Sequence, residues 1–127
     1  MIDHVSIAVR DLRRAETFYA AVLAALGLTK LREWPDAAIG FGKKYPEFWI
    51  NRREAMPRVV EDSGVHICLR APDVASVKAF HAAALQAGGS SDGEPGVRER
   101  YNPRYYAAFV RDLDGNRIEA VTFLREG

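Results

Sequence analysis

The chain is written twice. Asp3-His4-Val5-Ser6-Ile7-Ala8-Val9 reads against Val65-His66-Ile67-Cys68-Leu69-Arg70-Ala71. At the same offset of 62, Phe18 falls on Phe80, Leu23 on Leu85 and Gly27 on Gly89, without a gap. A constant offset through about thirty positions means one supersecondary unit used two times, and that rules out most folds of this length. It also bears on chemistry. An imidazole that recurs in the middle of an otherwise apolar strand is poorly suited to packing.

Residues 2–10 alternate, with Val5, Ile7 and Val9 on one face and His4, Ser6 and Ala8 on the other. Asp11 is placed to cap a helix carrying Leu12, Ala15, Phe18, Tyr19, Val22, Leu23 and Leu26 on one face, and Gly27 ends it. Strands fit 28–34, 37–42 and 47–52, punctuated by Pro35-Asp36 and Lys43-Lys44-Tyr45-Pro46. This is a βαβββ unit. A polar stretch over 53–63, with Pro57, leads to the second copy.

There Val65, Ile67 and Leu69 share one face and His66, Cys68 and Arg70 the other. Pro72-Asp73 opens a helix whose apolar face is Val74, Val77, Phe80, Ala84 and Leu85, with Gly88-Gly89 as its stop. Gly88 to Pro103 reads as a long loop, followed by strands near 105–111 and 117–124 around the turn Asp112-Leu113-Asp114-Gly115-Asn116. The expected fold class is α+β, with two tandem βαβββ modules in a single domain over 1–127. Module one is 1–52, the connector 53–63 and module two 64–127.

Composition narrows the partners. Formal net charge is +1 with both signs interspersed, so no basic stripe points to nucleic acid. No apolar run approaches a membrane span, and the first residues already alternate as a strand rather than forming a leader, which predicts a cytoplasmic protein. The single cysteine excludes an internal disulfide and fits a reducing compartment; within its apolar strand Cys68 reads as a small core residue.

If the branched faces pack on each module's own helix, both histidines lie on the opposite, concave face of the sheets. Glu119 joins them as a carboxylate in Ile118-Glu119-Ala120-Val121, where an unpaired charge would be costly to bury. The matching strand of the first module is Phe48-Trp49-Ile50, so Trp49 aligns with Glu119. His4, His66 and Glu119 together form a two-histidine, one-carboxylate set suited to Fe(II), Mn(II), Zn(II) or Ni(II) with open coordination positions. His81, in the second helix, reads as an ordinary helix residue. Asp112 to Asn116 lacks calcium-loop spacing and reads as a turn. Arg98, Arg100, Tyr101, Arg104, Tyr105 and Tyr106 either offer donors and aromatic walls to a small anionic or aromatic ligand, or form a solvated loop and an ordinary strand.

The chain resembles the vicinal oxygen chelate superfamily, which includes glyoxalase I, the extradiol dioxygenases and the bleomycin and fosfomycin resistance proteins. The resemblance spans essentially the whole chain. It rests on Ile2-Asp3-His4-Val5, Phe18-Tyr19, Leu26-Gly27-Leu28, Val65-His66-Ile67 and Asp112-Leu113-Asp114-Gly115-Asn116-Arg117-Ile118-Glu119, with Tyr105 to Val110 resembling a subgroup of small two-module members. It implies a cleft between modules that holds a divalent metal, with His4, His66 and Glu119 at three of four ligand positions. The fourth holds Trp49, which can neither bind metal nor move a proton, so an extradiol-like site fits better than glyoxalase isomerisation.

The expected function is a metal-dependent enzyme (dioxygenase, lyase or isomerase type) that chelates a small oxygenated substrate through Fe2+, Zn2+, Ni2+ or Mn2+. The alternative is a metal-free binder that sequesters a planar compound. Trp49, Phe41, Arg98, Tyr101 and Tyr106 are the expected substrate contacts. A homodimer is expected, with the cleft formed either within one chain or across a twofold axis.

Overall fold

A computed structural model describes residues 1–125. The first module runs β1 (Val5–Val9), α1 (Leu12–Ala24), β2 (Thr29–Trp34), β3 (Ala38–Gly42) and β4 (Pro46–Arg52). The second runs β5 (His66–Arg70), α2 (Val74–Gln86), β6 (Ser90–Val97), β7 (Tyr105–Arg111) and β8 (Arg117–Phe123). Each makes a four-stranded sheet of the same plan, β1-β4-β3-β2 and β5-β8-β7-β6, in which the first and last strands of the module pair in parallel. The architecture is α+β with two repeated βαβββ modules.

The repeat survives into the helix caps. Asp11 and Asp73 both take extended backbone, and each carboxylate accepts from the backbone N–H three residues on, at Arg14 (3.1 Å) and Ser76 (2.8 Å). Each cap of this kind contributes about 1 kcal/mol. The helices pack on one face of their own sheets and on each other. Phe18, Tyr19, Leu23, Ile39, Phe48, Phe80, Val110 and Ile118 belong to one core shared by both modules. Truncating a fully buried phenylalanine such as Phe18 or Phe80 to alanine would cost about 3–5 kcal/mol.

The modules are also latched through the β7–β8 turn. Gly115 supplies its positive φ of 89°. The turn's side chains then serve the other module: Tyr19 Oη donates to Asp112 Oδ2 (2.6 Å), Arg10 Nε to Asp114 Oδ1 (2.7 Å), and Asn116 Nδ2 to the Ala8 carbonyl (2.9 Å). Gly89 is held to glycine by the same close approach, since a Cβ there would lie 2.8 Å from the Phe18 ring and 2.6 Å from the Arg111 carbonyl.

The structure corrects several expectations. The stretch from Gly88 to Pro103 is not all loop: Ser90–Val97 forms β6, paired to β7 with register breaks around Gly93. Its small and polar residues, interrupted by glycines, hide the alternation that normally marks a strand. On α2, Leu85 is 43% exposed, and His81 takes the buried place instead, its Nε2 2.8 Å from Ser91 Oγ. Cys68 lies on the exposed face of β5 rather than in the core. Among the described residues no helix is long and apolar enough to cross a membrane.

Candidate functional site

The alternation of β5 and β8 builds one candidate face. Ile67 and Leu69 pack towards the core, so His66, Cys68 and Arg70 project from the other face; Ile118 and Ala120 do the same for Arg117 and Glu119. Glu119 is only 2% exposed and is fully engaged. His66 Nε2 lies 2.9 Å from its Oε1, and Tyr105 Oη donates to Oε2 at 2.5 Å. The carboxylate can only accept, so the His66 proton sits on Nε2 in this arrangement. Among the described residues no lysine or arginine pairs with Glu119. Its charge is balanced by nothing closer than an imidazole.

The neighbouring groups are tuned for silence rather than attack. Burial, and then the Glu119 charge, push the Cys68 thiol up to about 12, which leaves it protonated and unreactive at neutral pH. Burial and the hydrogen bond to Glu119 raise the Tyr105 phenol well above its ordinary range, so it remains a proton donor. Phe109 stands opposite Glu119 on β7, its ring 6.2 Å from that of His66.

A second candidate face lies on the first sheet. A cavity of about 390 Å³ is lined by His4, Ser6, Trp34, Ala37, Ala38, Trp49, Asn51 and Arg53. Trp49 lies against Gly40, where a Cβ would come within 3.0 Å of the indole. Asn51 Nδ2 donates to Ser6 Oγ at 2.8 Å. His4 is exposed just before β1 and donates from Nδ1 to Asp3 Oδ1 (2.8 Å), which leaves Nε2 as the lone-pair nitrogen.

Within one chain the two faces do not share a cavity. The His4 cavity is lined by first-module residues and by Arg53 at the start of the connector, whereas the cavity at Phe109 and Arg117 is lined by second-module residues alone. Among the described residues no three His, Cys, Asp or Glu side chains come close enough to hold one metal ion. His66 and Glu119 are therefore together, and His4 is not with them.

The aromatic contacts divide in the same way. Trp49 faces the first cavity, while Arg98 and Tyr101 line the second-module cavity of about 160 Å³. Phe41 does not reach any open face: it is 0% exposed in the core, because β3 turns it towards α1. Tyr106 packs against the core as well, with Ala108 and Val110. Its neighbour Tyr105 has the outward parity and makes the contact with Glu119. The parity was readable from Val110, whose branched side chain marks the inward face.

A family model described as the glyoxalase/bleomycin resistance protein/dioxygenase superfamily matches residues 1–120. Among solved structures, the chain is similar to a glyoxalase/bleomycin resistance protein from Albidiferax ferrireducens T118, at 29% identity, TM-score 0.80 and coverage of 93% of this chain and 95% of that one. It also shares its fold with a glyoxalase/bleomycin resistance protein/dioxygenase family enzyme from Burkholderia phytofirmans PsJN (17% identity, TM-score 0.73, coverage 97% and 98%). A third structure of the same fold is the trypanothione-dependent glyoxalase I of Leishmania major (23% identity, TM-score 0.64, coverage 96% and 86%). No curated protein matches the chain. The doubled module, its two matching sheets and the family model over residues 1–120 lead to one conclusion: this chain belongs to the glyoxalase/bleomycin resistance protein/dioxygenase superfamily.

Proposed function

We propose that the protein is a divalent-metal-dependent enzyme acting on a small oxygenated substrate, and that it works as a homodimer in which each site takes His66 and Glu119 from one chain and His4 from the other. The observation that carries this reading is Glu119: a carboxylate 2% exposed, paired to His66 and unmatched by any lysine or arginine among the described residues. Such a carboxylate is costly without a cation.

The donor set fits a metal. Ligands about 2.1 Å from one ion and at right angles to each other stand about 3 Å apart, and His66 Nε2 and Glu119 Oε1 are separated by 2.9 Å. Asp3 holds the His4 tautomer that leaves Nε2 available for ligation. Tyr105 would fix the orientation of Glu119 by keeping one of its oxygens. A bound divalent ion would supply Lewis-acid activation of vicinal oxygens on the substrate. The chain's own part is to exclude water with Phe109 and the indole of Trp49 and to keep Tyr105 protonated. Trp49 offers no fourth ligand and no base, which favours a site with open coordination positions over glyoxalase isomerisation.

The dimer follows from the separation of the two halves. Each concave face is open in one chain, and pairing module one with module two of a second copy closes both at once, giving two identical sites.

A second reading rests on the first-module cavity, whose Trp34, Trp49 and Ala38 surface suits a planar ligand without any metal. Titration with Co2+ separates the two. A ligand-field spectrum saturating at one ion per chain, and lost in Glu119→Ala, is expected for the enzyme. Absence of saturable binding after reconstitution with Fe2+, Zn2+, Ni2+ and Mn2+ would leave the binder.

A further inference from the structure

We infer that the substrate carries an oxyanion, and that Arg98 and Arg100 form the subsite that receives it beside His66 and Glu119. The inference rests on the reading that this face of the second sheet takes the substrate, and it adds the substrate's chemical class.

The subsite is the cavity of about 160 Å³ bounded by Asp92, Arg98, Arg100, Tyr101, Phe109 and Arg117. Its size suits a carboxylate or phosphoryl group rather than a whole metabolite. Three guanidinium groups face it against one carboxylate. That carboxylate, Asp92, is already committed: Arg117 Nε holds its Oδ2 at 2.9 Å and Arg111 Nε approaches its Oδ1 at 3.4 Å.

Arg98 and Arg100 have no carboxylate partner among the described residues. Arg98 is nevertheless held in place. Its two terminal nitrogens donate to the carbonyls of Gly96 (2.9 Å) and Glu94 (2.6 Å), and its guanidinium lies 5.4 Å from the Phe109 ring centre. Two of its five N–H donors are used, so the rest remain for a ligand. Arg100 sits 5.2 Å from the Tyr101 ring centre, and Tyr101 in turn packs edge-on against Tyr105 at 5.2 Å. The arginines are thus carried on a loop whose aromatic residues reach Glu119 through Tyr105.

The position matters as much as the charge. Arg117 is the register partner of His66 across the β5–β8 ladder, and Phe109 is the partner of Glu119 across β7–β8. An oxyanion on Arg98 and Arg100 would therefore leave the rest of a small acid over His66 and Glu119. Guanidinium groups favour planar, bidentate recognition of carboxylate and phosphate, and such charge-assisted bonds are stronger than neutral ones.

Arginine side-chain N–H resonances of the whole protein, followed during separate titrations with inorganic phosphate and with benzoate, test the inference and distinguish the two anion types. Saturable shifts at Arg98 and Arg100 are expected with at least one anion, with Arg32 on β2 unmoved. Arg100→Gln and Arg98→Gln should each weaken that binding roughly tenfold or more. Arg98→Lys keeps the charge should Arg98→Gln perturb the loop, and it should retain binding better than the glutamine. Shifts that fail to saturate, or that spread equally over Arg32, overturn the subsite. A parallel Co2+ titration keeps the two ideas separate. Phosphate or benzoate binding without Co2+ binding defeats the metal reading and leaves the subsite standing, whereas Co2+ binding without anion shifts defeats the subsite alone.

Discussion

Trp49 occupies in the first sheet the place that Glu119 occupies in the second. Ser6 faces Trp49 across the β1–β4 ladder just as Cys68 faces Glu119 across β5–β8. One module therefore presents a buried carboxylate where its twin presents a half-buried indole lying on Gly40. The two copies have divided the labour, one carrying charge and the other an aromatic wall.

That division predicts how the tryptophans report on ligands. Trp34 and Trp49 line the same cavity, so neither is a silent reference. Benzoate or a larger aromatic acid should quench both, and Trp34→Phe and Trp49→Phe should each remove part of the signal. Trp49→Glu should supply a carboxylate as a fourth ligand and tighten Co2+ binding. If Trp49→Glu leaves Co2+ affinity unchanged, the indole does not stand at a ligand position.

Metal should stabilise the fold through Glu119. At a hundredfold excess over the dissociation constant, one site contributes about 2.7 kcal/mol. Glu119→Ala should lose nearly all of that gain. Tyr105→Phe, which removes the hydrogen bond that orients Glu119 together with a weak contact to the Cys68 thiol, should weaken metal binding by about tenfold while keeping the fold. Thermal unfolding with and without Zn2+ measures both, and equal metal-induced shifts in wild type and Glu119→Ala would refute the assignment.

The latch between modules should be worth a measurable share of the stability. Asp112 accepts from Tyr19 Oη, Asn116 Nδ2 and the backbone N–H groups of Asp114 and Asn116. Tyr19→Phe removes one charge-assisted bond and should cost about 1–3 kcal/mol. Asp112→Asn should cost more, because its amide cannot accept from all four donors. Urea denaturation checks the order; a neutral Asp112→Asn would show that the turn holds itself without the carboxylate.

Much of this was legible in the residues and some was not. The offset of 62 and the apolar alternation point to both helices, the Asp11 cap and the outward parity of His4 and His66, because alternation and caps are local signals. β6 was hidden, since its glycines and register breaks erase the period-two pattern. Phe41 and Tyr106 lie on the core face although aromatic residues serve core and cleft equally well, and only the parity of Ile39 and Val110 decides between the two. Cys68 followed the parity of His66, which its chemistry alone does not reveal. The separation of His4 from His66 is a matter of how the modules dock, which depends on α1, α2 and the Asp112 turn meeting over a long range.

Acid should erode the edge of the first sheet before its core. Hydrogen bonds from Arg13 and Lys30 pull Glu33 down to about 2, against an ordinary value near 4.5, and Glu16 is lowered in the same cluster. A depressed folded value means that the contribution is present above about pH 4.5 and is lost as pH falls towards 2. The cluster is solvated, so the effect is small. Glu33→Gln should make melting temperature fall less steeply over that window, and an identical slope in the variant would show that solvent screens the cluster completely.

The decisive prediction concerns shared sites. In one chain His66 and Glu119 are together and His4 is not with them, so the site we propose is completed by His4 of the partner subunit. His4→Ala chains retain His66 and Glu119, and His66→Ala chains retain His4. Each variant alone should form dimers with two defective sites. A mixed dimer places both substitutions in one site and leaves the other complete. Mixing the variants after partial unfolding and refolding should therefore restore Co2+ binding towards half the sites of each heterodimer, about one quarter of all sites at random assortment. Sites built within one chain would give no restoration, because every chain would carry its own defect. Sedimentation at micromolar concentration provides the independent check, and a strictly monomeric protein with intact metal binding would rule the arrangement out.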